Sequence, residues 1–375
     1  LFLATGAGAD SAPPVAAVSP AAIAIALGQI EDGALWPGFA PKKTPLAIWD
    51  GKDTHLFRHP SPPKGCKREN KKDALSTAHC KGRLDGVVAN SSSTIGGVAT
   101  ATLVLDLGAS HTAAEWAAIA AHEAFHVFQR ERHPTWIGNE AELFLYPFED
   151  YDLLSLRRLE TSMLARSLSA VGDERKAWAA TFLETRAKRY LRLSEGTVGY
   201  ERGTELNEGL ARYVQGKASG EKAKVDSDDY PADAVRLRAY DTGWAMASLL
   251  DEIAPDWQAR LEAGESKSLD QLLADALVAL KVVANEPRTS ERVAANYGAL
   301  RDIELYQGQL ARLREDFDHM LGFEIVIDAS GQSLEPRGFD PLNVARLSPK
   351  EVLHRRFVKL GNDRGEIEVQ NLEAL

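Results

Sequence analysis

The sequence predicts an α+β protein, mainly α, with a mixed central unit, a helical extension and small β-rich flanks. Three observations carry this. Gly97-Val98-Ala99-Thr100-Ala101-Thr102-Leu103-Val104-Leu105 is a run of small and β-branched residues, as a strand requires. From residue 113 to about 318 apolar residues recur mostly at helical spacing. Beyond 322 polar and apolar residues alternate again. The chain accordingly divides into four parts: 1–95, irregular and β with a cysteine-bounded loop; 96–255, the central unit; 256–321, helical; and 322–375, small and β-rich.

The 375 residues suffice for one large core or for two to three smaller ones, and 44% apolar with 26% charged residues is ordinary for a soluble globular chain. A formal net charge of −10 argues against a nucleic-acid partner, which needs clustered positive charge. No apolar run reaches membrane-spanning length; Ala21-Ala22-Ile23-Ala24-Ile25-Ala26-Leu27 is far too short. Leu1-Phe2-Leu3 followed by Ala7-Gly8-Ala9 resembles the end of a secretory signal, which predicts an exported protein, periplasmic or secreted. The cysteine usage agrees. The two cysteines, Cys66 and Cys80, bound one loop-like run that a single disulfide could close in an oxidising compartment. The lysines around them, Lys64, Lys67, Lys71, Lys72 and Lys81, read as a solvated face.

In order along the chain, residues 20–30 suggest a short helix, and Leu46-Ala47-Ile48-Trp49-Asp50-Gly51 a strand and turn. After the cysteine loop and the strand at 97–105 comes the helix that matters most. Ala113-Ala114-Glu115-Trp116-Ala117-Ala118 is strongly helix-forming, and Thr112 or Ser110 can cap it, with Glu115 as capping-box partner to Thr112. Pro134 ends it. Amphipathic helices follow at 151–168, 178–193, 201–215 and 234–253, then one from 269 to 283 behind Ser268 and a long one from Ser290. In the tail, Phe323-Glu324-Ile325-Val326-Ile327, 352–360 and Gly365-Glu366-Ile367-Glu368-Val369 alternate as strands do.

The first of these helices carries His122-Glu123-Ala124-Phe125-His126. Histidines four apart on a helix project from one face, so one metal ion can take both, and a glutamate beside them can accept a proton from water. A zinc site needs a third protein ligand and an open position. The best candidate lies in Thr204-Glu205-Leu206-Asn207-Glu208-Gly209-Leu210-Ala211.

An HExxH helix followed by a helix with Asn-Glu-Gly-Leu-Ala resembles the gluzincins, zinc metallopeptidases of aminopeptidase N-like and thermolysin-like type. The resemblance covers about 98–255 and implies a zincin-like catalytic domain with Glu208 as third ligand to Zn²⁺. Tyr240 in Tyr240-Asp241-Thr242-Gly243 is similar to the Tyr-x-x-Gly tyrosine that stabilises the tetrahedral intermediate; a tyrosine packed in the core stands beside that reading, and His319 is another candidate donor. The chain departs from the family in three places. Glu208 lies 82 positions after His126, no Gly-Ala-Met-Glu-Asn segment is present, and Arg212 stands where thermolysin relatives carry aspartate. Glu205 and Glu201, three and seven positions before Glu208, are candidates to orient a ligand, or one of them to be the ligand itself. On an α-helix Glu205 and Glu208 would point about 60° apart.

The expected activity is zinc-dependent hydrolysis of peptide bonds in a peptide or protein substrate, with His122, His126 and Glu208 on the metal and Glu123 as general base. Two alternatives stay open: a non-catalytic, zincin-derived binding or scaffold protein, and hydrolysis of a non-peptide amide or ester.

Overall fold

A computed structural model describes residues 18–375 except 70–72, 107, 109, 227–229, 323–324, 329, 332, 341–342 and 349. The secretory-signal-like residues Leu1-Phe2-Leu3 and Ala7-Gly8-Ala9 lie outside the described residues, as do Lys71 and Lys72. The chain is α+β and mainly α, with about 49% helix and 16% strand. It packs as two units. The first is Leu1–Trp136 with Leu210–Ala223 and Gln258–Glu265; the second is Ile137–Gly209, Lys224–Trp257 and Ser266–Leu375. Among the described residues no helix is long and apolar enough to cross a membrane.

In the first unit, α1 (Pro20–Gly28) is capped by Ser19, with proline at its first position. Six strands follow: β1 (Leu46–Trp49), β2 (Asp53–Phe57), β3 (Lys67–Arg68), β4 (Ala78–Lys81), β5 (Ser91–Ile95) and β6 (Val98–Val104). They form one sheet in the order β3-β4-β2-β1-β6-β5. β1 runs parallel to β6 and the other pairs are antiparallel. The two-residue turn between β5 and β6 is Gly96-Gly97, both at positive φ, the conformation that lets a tight hairpin match strand twist. The cysteine-bounded run is therefore more than a loop. It supplies β3 and β4, and Cys66 and Cys80 are joined in a disulfide with an S–S distance of 2.07 Å. Lys64, Lys67 and Lys81 are exposed around it.

α2 (Ala113–Arg132) leaves the sheet after β6 and packs against α1, β6, β5 and α6 (Leu210–Ser219). The unit also holds most of α8 (Trp257–Glu262), a helix with no clear sequence signal.

In the second unit, α3 (Tyr151–Ser169) and α4 (Gly172–Tyr190) pair as an antiparallel hairpin, and α10 (Thr289–Asp318) packs along α3. α4 begins six residues before the expected 178. α5 (Glu195–Thr204) runs into a π-helical segment at Glu205–Gly209, ahead of α6. α7 (Val235–Ile253) lies against that segment and against α9 (Leu269–Ala279). The tail is β-rich: β7 (Glu335–Phe339), β8 (Val344–Ser348), β9 (Glu351–His354), β10 (Phe357–Asn362) and β11 (Gly365–Gln370). They pair as β11-β10-β7 and β8-β9. The strand expected at 323–327 is not formed in its described part. Ile325, Val326 and Ile327 are irregular and exposed, because alternation without a partner strand leaves the backbone unpaired.

Candidate metal centre

α2 starts where its sequence says it should. The Glu115 N–H donates to Thr112 Oγ1 at 3.2 Å and the Thr112 N–H to Glu115 Oε2 at 2.7 Å, a capping box that selects Thr112 over Ser110. Phe125, fully buried, fixes the rotation of the helix by meeting Trp36 and Phe39 edge-on at 5.4 and 5.3 Å. Beyond the C-terminus, His133 stacks on Trp136 at 3.8 Å, and Glu262 accepts from both His133 Nε2 and Trp36 Nε1.

With that rotation set, His122 Nε2 and His126 Nε2 lie 3.1 Å apart, and a Glu123 carboxylate oxygen belongs to the same cluster, all within 4.8 Å of one another. His122 and Glu123 are each 7% exposed. Gln129 Oε1 lies 2.8 Å from His126 Nδ1. A glutamine oxygen only accepts, so Nδ1 carries the proton and the lone pair sits on Nε2. Two nitrogens about 2.05 Å from a tetrahedral zinc stand roughly 3.3 Å apart, close to what is found here. The donor set fits a borderline divalent ion. Arg130, one turn on, donates to the Ser92 carbonyl of β5 and is drawn electrostatically to Glu123.

The second unit holds the remaining candidates. Glu208 Oε1 accepts from Arg236 Nη2 at 2.6 Å, and the other amino group of Arg236 binds Glu140. Tyr200 donates to Glu140 at 3.1 Å. Tyr240 donates to Glu208 and receives from Arg236; burial first, and then the Glu208 charge, push its hydroxyl well above the usual tyrosine range, so it stays a neutral donor. The structure thus brings Tyr240 to Glu208.

Glu201 and Glu205 are committed to a buried ion cluster. Arg186 forks onto Glu205 at 2.7 and 3.0 Å, and Thr242 donates to the same carboxylate at 2.7 Å. Arg189 forks onto Glu201 at 2.6 Å through both amino groups, and Tyr146 donates to Glu201 as well. Glu160, at 0% exposure, ties Arg186, Arg189 and Arg238 together. Burial opposes its ionisation, but Arg189 and its neighbours more than offset that and hold its carboxyl far below the usual range. Glu201 shifts down for the same pair of reasons. His319 is exposed, with its Nδ1 on the Glu315 carbonyl.

The π segment covers both glutamates of the motif, so the α-helical angle between them does not apply. It packs closely on α7: a Cβ on Gly209 would lie 2.6 Å from Gly243 Cα, and one on Gly243 would lie 2.7 Å from Gly209 Cα. Backbones this close leave room only for glycine at both positions. Gln129, Arg130, Arg236 and Glu140 were not singled out from the sequence. Gln129 could have been, since it lies three residues after His126 on one face. The others carry no local signal.

Comparison with known proteins assigns no family. No family model matches the chain, and neither a curated protein nor a solved structure matches it.

Proposed function

We propose that this protein is an exported, zinc-dependent metallopeptidase of gluzincin type with a zincin-like catalytic domain. The observation that carries the reading is the pair of imidazole nitrogens 3.1 Å apart, one held in the ligating tautomer by Gln129, beside a buried glutamate. His122 and His126 would hold the ion, with Glu208 as the third ligand that its Asn-Glu-Gly motif implies. Zinc bound there supplies Lewis acidity, lowering the pKa of water to about 7 and polarising a carbonyl.

The chain's own residues do the rest. The Glu123 carboxylate takes the proton from the attacking water and returns it to the leaving amine. The neutral Tyr240 hydroxyl, which donates to Glu208 in this structure, would turn from it to donate to the oxyanion that develops on the scissile carbonyl. Arg236, bound to both Glu208 and Glu140, fixes the Glu208 carboxylate and offsets charge around it. A peptide substrate suits the neighbourhood of α2. β5 has a strand on one side only, and in its hairpin register the Thr94 N–H and C=O face away from β6, ready to pair with an extended chain. Export is supported by the Cys66–Cys80 disulfide.

The test is zinc analysis of the purified protein together with cleavage of an unbiased peptide library. One zinc per chain and cleavage that vanishes in Glu123→Gln support the proposal. Zinc without any cleavage points to the binding or scaffold reading, and cleavage of ester or amide probes alone points to a non-peptide substrate.

A further inference from the structure

A second pair of histidines lies on the opposite side of the first unit's sheet order, on β2 and β4. His55 and His79 are direct cross-strand partners, with ring centroids 5.3 Å apart and planes at 65°. Each ring is held from behind by a carboxylate. His55 Nε2 meets Asp50 Oδ2 at 2.8 Å, and His79 Nε2 meets Asp53 Oδ2 at 3.2 Å. The carboxylates are themselves fixed by backbone. Asp50 Oδ1 accepts from the Lys52 and Asp53 N–H groups at 2.9 and 2.8 Å, and Asp53 Oδ1 accepts from the Gly82 N–H at 2.8 Å. Burial alone would raise the Asp50 carboxyl; these backbone donors and His55 bring it down to about 2.

An ionised carboxylate only accepts, so each Nε2 carries the proton and each lone pair sits on Nδ1. This carboxylate–histidine pairing is the arrangement that orients metal-ligating histidines and raises their basicity. Here it occurs twice, on cross-strand neighbours whose rings meet edge-on. Two imidazoles bound to one tetrahedral ion place their centroids roughly 5 Å apart, given bonds of about 2.05 Å. The α2 pair has centroids 4.8 Å apart at 79°, a comparable ring spacing.

We infer that His55 and His79 form a second metal site, taking a divalent transition ion that favours imidazole, such as zinc or nickel, through their Nδ1 atoms, with Asp50 and Asp53 bracing the rings. Both side chains are partly open to solvent, at 21% and 39% exposure, so water or an exchangeable ligand completes the coordination. With two protein ligands this site binds more weakly than the α2 centre and fills after it. Two independent surface ion pairs are the rival account, and it predicts no metal.

The experiment uses tag-free, full-length His122→Ala/His126→Ala protein, which removes the α2 pair, titrated calorimetrically with Zn²⁺ and with Ni²⁺. The expected result is one remaining equivalent per chain, lost when His55→Ala or His79→Ala is added. Asp50→Asn or Asp53→Asn should keep the equivalent but weaken it about 10- to 100-fold. Imidazole ¹⁵N shifts of the double variant guard against misfolding of the further variants: Nδ1 of His55 and His79 should move on zinc addition. No bound equivalent in the double variant, an equivalent that survives both histidine replacements, or unmoved Nδ1 signals would each overturn the site.

Discussion

α2 and the buried ion cluster of the second unit both hide ionisable groups, and they treat them in opposite ways. In the cluster, Glu160, Glu201 and Glu205 are set against Arg186, Arg189 and Arg238, each carboxylate forked or bridged by guanidinium. On α2, two imidazoles bring the same kind of atom together at 3.1 Å, where only a proton or a metal ion between them makes the contact favourable. Matched charges hold a fold in one arrangement; like donors aimed at one point await a cation. The distinction separates the bracing carboxylates of the second unit from Glu123, the base we propose, and it can be tested.

The largest effect belongs to Glu123. Glu123→Gln should lower peptide hydrolysis on the order of 10²- to 10⁴-fold while zinc content and thermal midpoint stay at the wild-type values. If zinc is lost along with activity, Glu123 belongs to the ligand set and the contrast is drawn in the wrong place.

Glu160→Gln should do the reverse. It leaves buried arginines under-compensated and should cost about 3–5 kcal/mol of stability by chemical unfolding. The pH dependence follows from the same residue. The folded carboxyl is held below its unfolded value, so its stabilisation is complete above the ordinary carboxylate range and is lost as pH falls below about 4.5 toward the folded value. Glu201 adds to the trend. Unfolding free energies at pH 7, 5 and 3 should therefore fall with acid, and less steeply in Glu160→Gln. Equal slopes in both proteins would remove the cluster from the acid response.

Gln129→Leu should weaken zinc about 10- to 100-fold in chelator competition, with a smaller change in stability, since it releases the His126 tautomer and leaves the ligands in place. The smallest effect is expected from Gly243→Ala. The added methyl meets Gly209 Cα and should cost about 1–3 kcal/mol of thermal stability. A neutral outcome would mean the two helices can part at no cost.

Most of this was legible where the signal is local. The capping box of Thr112 and Glu115, the histidine spacing on α2, and the stripes of α3 and α7 follow from residues within two turns of one another. The tail strands β10 and β11 follow from alternation. What was not legible depends on partners far along the chain. The amphipathic pattern of 178–193 does not single out Arg186 and Arg189, and both are buried because Glu160 and Glu201 meet them from α3 and α5. β5, nearly all serine and threonine, has weak strand propensity and is a strand because β6 pairs with it. β4 lay hidden in a stretch marked by proline, lysine and cysteine, and its place beside β2 decides it.

The π segment decides how the two carboxylates of the motif are aimed. A helix gains such a turn by accepting one residue more than its α-helical register holds, and each residue of an α-helix turns the chain by roughly 100°. Glu205 keeps Arg186 and Thr242, while Glu208, three residues on, keeps Arg236. Removing a single residue between them would restore an α-helical phase and swing one carboxylate away from its partners. The wider turn thus lets one short stretch of helix hold Glu205 against Arg186 and Glu208 against Arg236 at the same time.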